Sequence, residues 1–153
     1  MKAIHSFPKL TTSLFCLTFI LSLNLYAQDE KSLVKVADDP AMEWGGCPEF
    51  MPEGCRLTVL HGDPANKNAD ILIEFPANSE IANHYHTSAE RMVLISGELK
   101  VTYEGEEPQL LKPGNYAYGP ALKRHSAKCG DSPCVLFIAF EEPVDAIPVA
   151  SKN

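Results

Sequence analysis

Short β-type runs separated by turn residues constrain the fold of this chain most strongly. From Arg56 onward, runs rich in β-branched and aromatic residues alternate with Gly, Pro, Asn and Asp at intervals of about ten residues. The same region lacks the long apolar period of an amphipathic helix. The pattern predicts an antiparallel sandwich or barrel over residues 56–150. The predicted strands are Arg56–Leu60, Ile71–Phe75, Ile81–His86, Arg91–Ile95, Leu99–Tyr103, Asn115–Tyr118, His125–Lys128 and Val135–Phe140.

Residues 1–27 have the pattern of an export signal. Lys2 and Lys9 precede an apolar run of about a dozen residues, which is shorter than the roughly 18 needed to cross a bilayer. The segment ends in the small residue Ala27, so we predict cleavage there and a periplasmic or secreted protein. An uncleaved membrane anchor is the alternative. Residues 28–55 are acidic and irregular, and we predict an N-terminal arm packed on the barrel through Trp44.

The chain beyond the predicted signal is one acidic domain. Residues 1–27 contain two lysines and no acidic residue, so the remainder carries 11 basic and 20 acidic side chains, a net charge of −9. That charge repels nucleic acid and anionic membranes, and we expect neither as a partner after signal cleavage. A small molecule is the expected ligand.

Four cysteines follow the predicted cleavage point. In an exported chain the default is two disulfides, and three pairings are open. The spacing favours the local pairs Cys47–Cys55 and Cys129–Cys134. The second pair would close the turn-forming run Gly130-Asp131-Ser132-Pro133 as the tip of a hairpin. A thiolate metal ligand is the alternative use, although each cysteine has a nearby partner for oxidation.

Three histidines and one glutamate form a set suited to a metal. His84 and His86 lie two positions apart, so in a strand both side chains point to the same face, with Cα atoms roughly 6–7 Å apart. Glu90 follows after a short turn, and His125 comes from a distant strand. Imidazole nitrogens with a carboxylate oxygen suit a divalent transition metal. We therefore predict one metal bound by these four residues.

The same residues resemble the two motifs of the cupin superfamily. The first motif is Gly, five residues, His-x-His, three or four residues, Glu, six residues, Gly, and it reads here Asn78, His84, His86, Glu90, Gly97. The second is Gly, five residues, Pro-x-Gly, two residues, His, three residues, Asn, and it reads Gly114, Pro120, Leu122, His125, Cys129. The resemblance implies an all-β double-stranded β-helix, the cupin jelly-roll barrel, with a metal held in its interior by the residues at the His and Glu positions.

Three positions depart from the motifs. Asn78 replaces a glycine, and Asn tolerates the left-handed backbone that glycine supplies. Leu122 replaces the glycine of the second motif, so we expect the turn leading to His125 to have a different shape. Cys129 replaces Asn, which agrees with its use in a disulfide. The domain size and the Gly62-Asp63 segment are also loosely similar to the cupin part of the ChrR anti-sigma factor.

The ligand set leaves the metal open among Fe, Mn, Ni, Cu and Zn. Four protein ligands on a six-coordinate ion leave two cis positions, which suits a bidentate substrate or a substrate with O2, whereas a four-coordinate zinc would be closed and structural. We predict a metalloenzyme acting on a small oxygen-bearing substrate. The leading subclass resembles cupin dioxygenases, followed by cupin-type lyases and isomerases. The alternative is a non-catalytic, metal-dependent ligand-binding or sensing module.

Glu90 and Tyr118 are the candidate catalytic residues. The cupin resemblance implies that Glu90 can leave the metal to act as a base. Tyr118 shares a strand face with Tyr116 just before the turn to His125, and either substrate contact or ordinary core packing would account for it.

Two predicted strands are apolar on both faces. They are Met92–Ile95 and Val135–Phe140. An antiparallel sheet normally exposes one face to water, so the second apolar face needs cover. We predict that a second copy of the chain covers it in a homodimer, although the N-terminal arm alone would satisfy the same need.

Overall fold

Eleven β-strands and no helix occupy the described part of the chain, residues 31–36 and 39–150 of this computed structural model. Within these residues no helix is long and apolar enough to cross a membrane. The predicted signal, residues 1–27, lies outside the described residues, as do residues 28–30, 37 and 38 of the predicted arm. The strands are β1 (Gly45–Gly46), β2 (Arg56–His61), β3 (Ala69–Phe75), β4 (Glu80–Tyr85), β5 (Glu90–Ser96), β6 (Leu99–Tyr103), β7 (Gln109–Leu111), β8 (Tyr116–Gly119), β9 (His125–Cys129), β10 (Cys134–Phe140) and β11 (Ile147–Pro148).

The chain divides into two compact units, Met1–Val34 and Lys35–Asn153. Residues 31–34 of the first unit are described, and they have no regular secondary structure. The strands all belong to the second unit. They form two antiparallel sheets, with the orders β1-β2-β3-β10-β5-β8 and β11-β4-β9-β6-β7. The predicted all-β double-stranded β-helix is confirmed.

The eight predicted strands are all present, each within two residues of its predicted bounds. The sequence pattern missed β1, β7 and β11, which have two or three residues each and are too short to show a period. The core lies between the sheets, where β5 and β10 contribute buried side chains such as Leu94 and Leu136. Both predicted disulfides, Cys47–Cys55 and Cys129–Cys134, are present.

The outer face of the first sheet is covered unequally. Thr58 of β2 and Leu72 of β3 are buried there, and Lys35 Nζ donates to the Val59 carbonyl oxygen at 2.8 Å. On β5 and β8 the same face leaves Ile95 and Tyr116 exposed. Lys35 thus contacts the β2 side of the outer face.

The segment predicted as an arm also adds to the first sheet. Strand β1 pairs with β2, and the Arg56 guanidinium carbon lies 4.4 Å from the centroid of the Trp44 ring. The half-buried Trp44 is therefore in contact with the barrel. The boundary at residue 55 stays a prediction.

Candidate metal centre

His84 and His125 face each other across two neighbouring strands of the second sheet. They are register partners on β4 and β9, with ring centroids 4.3 Å apart. A bulge between Ile81 and His84 interrupts β4, so that Ala82 and Asn83 are both exposed while Ile81 and His84 are both buried. Bulges of this kind re-aim a side chain. Here the bulge turns His84 into the barrel.

His86 and Glu90 complete the cluster from two different positions. His86 follows the end of β4, and Glu90 opens β5 in the opposite sheet. Glu90 Oε2 lies 3.5 Å from His86 Nε2, and Glu90 Oε1 lies 3.3 Å from His125 Nε2. One ligand atom from each of His84, His86 and His125 lies within 4.8 Å of the other two. Ligand atoms around an ion with bonds of about 2.0–2.2 Å lie roughly 3 Å or more apart, so this spacing is close to a coordination set.

Backbone carbonyl groups fix the orientation of all three imidazoles. Nδ1 of His84 contacts the Ala82 carbonyl oxygen at 2.8 Å, and Nδ1 of His125 contacts the Lys123 carbonyl oxygen at 3.1 Å. Nδ1 of His86 makes the same contact with the Asp145 carbonyl oxygen. A carbonyl oxygen only accepts, so each Nδ1 carries the proton and each neutral ring keeps its Nε2 lone pair.

The cluster thus brings three Nε2 lone pairs and the Glu90 carboxyl together, and the only hydrogen that these four groups can share is the proton that Glu90 carries. Glu90 Oε1 is buried and has no hydrogen-bond partner among the described residues, although it lies beside Nε2 of His125. Two acceptors in contact need a cation between them, which a shared proton or a metal ion supplies. Buried unpaired acceptors are costly, and nitrogen and oxygen donors suit a divalent transition metal. The residues present therefore fit a metal.

Burial controls the protonation of this cluster. It lowers the pKa of His84 to about 3, with a smaller contribution from the nearby His125. Burial lowers the pKa of His125 to about 4 and also lowers the pKa of His86. Burial raises the pKa of Glu90 to about 8. Without a metal, all four groups are therefore neutral near pH 7.

Residues that the sequence did not indicate hold His86 in place. The carboxylate of Asp145 accepts from the Thr87 backbone N–H at 2.9 Å and from the Thr87 hydroxyl at 2.7 Å. The same residue offers its carbonyl oxygen to His86. The His86 carbonyl oxygen in turn accepts from the backbone N–H of Leu122 at 2.8 Å. A loop far along the chain therefore positions this imidazole, and local sequence gives no signal for it.

Tyr103 is a second residue that the sequence did not single out. It is the β6 register partner of His125, and the two rings have centroids 5.3 Å apart. Its hydroxyl is buried and has no hydrogen-bond partner within residues 31–36 and 39–150, and burial raises the pKa of Tyr103. The alternating buried residues Leu99, Val101 and Tyr103 were the available signal, because they place Tyr103 on the inner face.

The structure does not bring Tyr118 to this cluster. Tyr118 pairs with Arg91 and is 50% exposed, and Tyr116 pairs with Val93 and is 57% exposed. The inner positions of β8 belong to the smaller residues Ala117 and Gly119. A Cβ at Gly119 would lie 2.6 Å from Glu90 Oε1, so the Glu90 side chain occupies the space that this glycine leaves. Tyr118 is therefore neither a contact of the cluster nor core packing.

Two of the three motif departures have the left-handed backbone that glycine adopts readily. Asn78 has φ 60° and Leu122 has φ 64°, both in the left-handed region. Leu122 therefore has a φ that glycine adopts readily, and the expectation of a different turn before His125 stays a prediction. Cys129 is in a disulfide. The motif glycine Gly97 has φ +84°, and a Cβ there would lie 2.4 Å from the Pro133 carbonyl oxygen.

The fold and the motif spacing together define a cupin barrel. The sequence matches the family described as the ChrR Cupin-like domain over residues 34–143, which is most of the chain. The protein therefore belongs to the ChrR cupin-like family. A search of curated proteins finds no significant match.

Solved structures share this fold at low sequence identity. The polyketide cyclase RemF from Streptomyces resistomycificus matches with TM-score 0.65 and 14% identity, over 79% of this chain and 89% of that one. The DMSP lyase DddQ from Ruegeria pomeroyi matches with TM-score 0.63 and 18% identity, over 73% of this chain. This chain spans only 63% of that lyase. An RmlC-like cupin from Shewanella frigidimarina matches with TM-score 0.56 and 21% identity, over 68% and 86% of the two chains. These likenesses concern the fold alone.

Proposed function

We propose that this protein is an exported cupin that binds one divalent transition metal and acts as a metalloenzyme on a small oxygen-bearing molecule. The proposed ligands are His84, His86, Glu90 and His125. The observation that carries the proposal is the meeting of Nε2 lone pairs with the unpartnered Glu90 Oε1 in a buried space. The Nδ1 contacts with backbone carbonyls support it, since they leave each Nε2 available.

A bound metal would supply Lewis acidity and a template for substrate, or for substrate with O2. The protein's own part is to hold the three imidazoles neutral and to keep water away from the site. Glu90 is protonated near pH 7 and must release that proton before it can act as a ligand or a base. A dioxygenase-type reaction is the leading subclass, followed by lyase and isomerase reactions. Polyketide cyclase and DMSP lyase neighbours support a catalytic use of such a barrel.

Metal content and oxygen consumption test this proposal. The protein is purified without chelators, its metal is measured, and O2 uptake is followed with small chelating oxygen compounds. The variant His125→Ala should lose the metal, whereas His61→Ala, an exposed histidine outside the cluster, should retain it. Unchanged metal content in His125→Ala would remove the basis of the proposal.

A non-catalytic metal-dependent sensing or binding module is the second candidate. The match to the ChrR cupin-like family favours it. The position of Tyr118 away from the cluster also favours it. Of the two candidate catalytic residues that the sequence indicated, only Glu90, itself a proposed ligand, lies in the cluster. A tightly held zinc that resists exchange, with no O2 uptake and no turnover, would favour this candidate over the enzyme.

We propose export with cleavage after Ala27, to the periplasm or outside the cell. Two disulfides support this localisation. Intact-mass measurement of the mature protein tests it, with Gln28 expected as the first residue. A mature chain that keeps residues 1–27 would refute the cleavage.

We also propose a homodimer through the outer face of β5 and β8. Ile95, Tyr116 and Tyr118 are 44%, 57% and 50% exposed on this side of the barrel. Strand β8 is the last strand of its sheet, so its free edge could pair with the same edge of a second copy. Light scattering should give twice the chain mass, and Tyr116→Lys should give the monomer. A wild-type monomer at high concentration would refute the dimer.

A further inference from the structure

The barrel core of this protein is hollow next to the proposed metal ligands. A cavity of about 250 Å³ lies between the sheets, and among the described residues that line it the polar side chains are His84, His86, Glu90, His125 and Asp145. The remaining lining is apolar. Protein cores normally contain few voids larger than a water molecule. This interior chamber is therefore larger than the voids that ordinary core packing leaves.

The chamber is polar at one end and apolar elsewhere. Strands of both sheets build the apolar part, which includes Ile73, Phe75, Leu99, Val101 and Leu136. These side chains offer no hydrogen bonds to water, so water would be poorly held there. A hydrocarbon group would regain the missing contacts and would be removed from water.

Two segments that enclose the chamber belong to loops. Pro48 and Met51 lie within the loop closed by the Cys47–Cys55 disulfide, and Val144 lies in the segment after β10. Phe50 of the same disulfide loop lies beside His84, with ring centroids 5.9 Å apart. The apolar lining therefore continues from the interior to the loops at the histidine cluster.

We propose that the ligand of this site is a small amphipathic molecule. Its hydrocarbon chain or ring fills the chamber, and its oxygen-bearing head group lies at the histidine and Glu90 end. An engineered apolar cavity of 150 Å³ takes up benzene, so by proportion this chamber suits roughly six to ten carbon atoms. The inference rests on the proposed metal site for the head group and on the chamber alone for the hydrocarbon.

Two kinds of probe test hydrocarbon binding in the chamber separately from head-group binding at the metal site. Toluene is added to the metal-free protein, and binding is followed by NMR shifts and by thermal unfolding. Straight-chain hydroxamates of two, six and fourteen carbons are then titrated into the metal-loaded protein. From two to six carbons, affinity should rise by about threefold to fourfold for each added methylene, and it should stop rising with the longest chain.

Variants locate the binding in the chamber. Ile73→Phe should fill it and lower affinity for the six-carbon probe at least tenfold, while the two-carbon probe and the metal still bind. If the phenylalanine prevents folding, Ile73→Ala provides a second test. It should enlarge the chamber, so that affinity continues to rise with longer hydroxamate chains than in the wild type. Val93→Phe changes the outward-facing side of β5 and should leave all affinities unchanged.

The outcomes distinguish this inference from the proposed function. If the metal binds but affinity does not depend on chain length and toluene does not bind, the amphipathic ligand is refuted while the metal site stands. If toluene binds but no metal does, the chamber stands and the proposed function falls. Equal effects of Ile73→Phe and Val93→Phe would show that the probes bind elsewhere, which also refutes the inference.

Discussion

Metal uptake by the metal-free protein should release about one proton near pH 7. Burial raises the pKa of Glu90 to about 8, so this carboxyl is roughly 90% protonated at pH 7 and must lose its proton to bind a cation. The three histidines have pKa values lowered by burial and are already neutral at that pH. They add nothing to the release.

The pH dependence of proton release distinguishes this cluster from one whose histidines and glutamate have ordinary pKa values. With its pKa near 8, Glu90 should contribute roughly one proton at pH 6 and roughly one quarter of a proton at pH 8.5. Three histidines and a glutamate with ordinary pKa values would instead release about two protons at pH 6 and almost none at pH 8.5. The two cases differ at pH 8.5, where the buried Glu90 still releases about a quarter of a proton for each metal bound and the ordinary cluster releases almost none.

Isothermal titration with Ni²⁺ in several weakly coordinating buffers measures this number. The slope of the observed enthalpy against the ionisation enthalpy of the buffer gives the protons released. Glu90→Gln should still bind Ni²⁺, more weakly, and should release close to none at pH 7. A release close to zero at pH 8.5 in the wild type, or an undiminished release at pH 7 in Glu90→Gln, would refute the assignment to a buried, protonated Glu90.

Three further substitutions probe the parts that support the cluster. Asp145→Ala should weaken metal binding by about 10- to 100-fold in a chelator competition, because it removes the carboxylate that holds the loop beside His86; unchanged affinity would contradict this role. Leu122→Gly should raise the free energy of unfolding by about 0.5–1 kcal/mol in urea, because Leu122 has φ 64° and is exposed, whereas Asn78→Gly should change it less. Gly119→Ala should cost about 1–3 kcal/mol and lower metal affinity by displacing the Glu90 carboxylate, while Gly46→Ala, with open space around it, serves as the control; equal effects of the two would contradict the packing argument.

The fold and the histidine cluster could be predicted because both depend on local spacing. Strand runs of four to seven residues show their period, and His84 and His86 share a side of the chain by alternation. The bulge before His84 could not be predicted, since nothing in Ala82 or Asn83 marks it. The role of Asp145 could not be predicted either, because it depends on where a loop after the last long strand comes to lie.

The residues on the inward face of β8 explain why the Tyr118 side chain lies away from the histidine cluster. Aromatic and small residues alternate along β8, and large apolar side chains are normally the ones that point into a core. The register with β5 sets Gly119 opposite Glu90 and Ala117 opposite Met92. Those two partners already fill the inner space, so the tyrosines turn outward. The size of the side chains on β5 thus determines which face of β8 points into the barrel. The sequence of β8 alone does not contain that information.

The two ends of β9 connect the sheets by different means. At one end Cys129 is joined to Cys134 at the start of β10, which belongs to the other sheet. At the opposite end, about 13 Å away along the strand, His125 faces Glu90 of the other sheet. A covalent bond holds the first end, whereas at the second end the Glu90 carboxyl and Nε2 of His125 need a shared proton or a metal ion between them. Metal binding would therefore stabilise the end of the barrel that the disulfide does not, and any stability gained there follows the metal concentration.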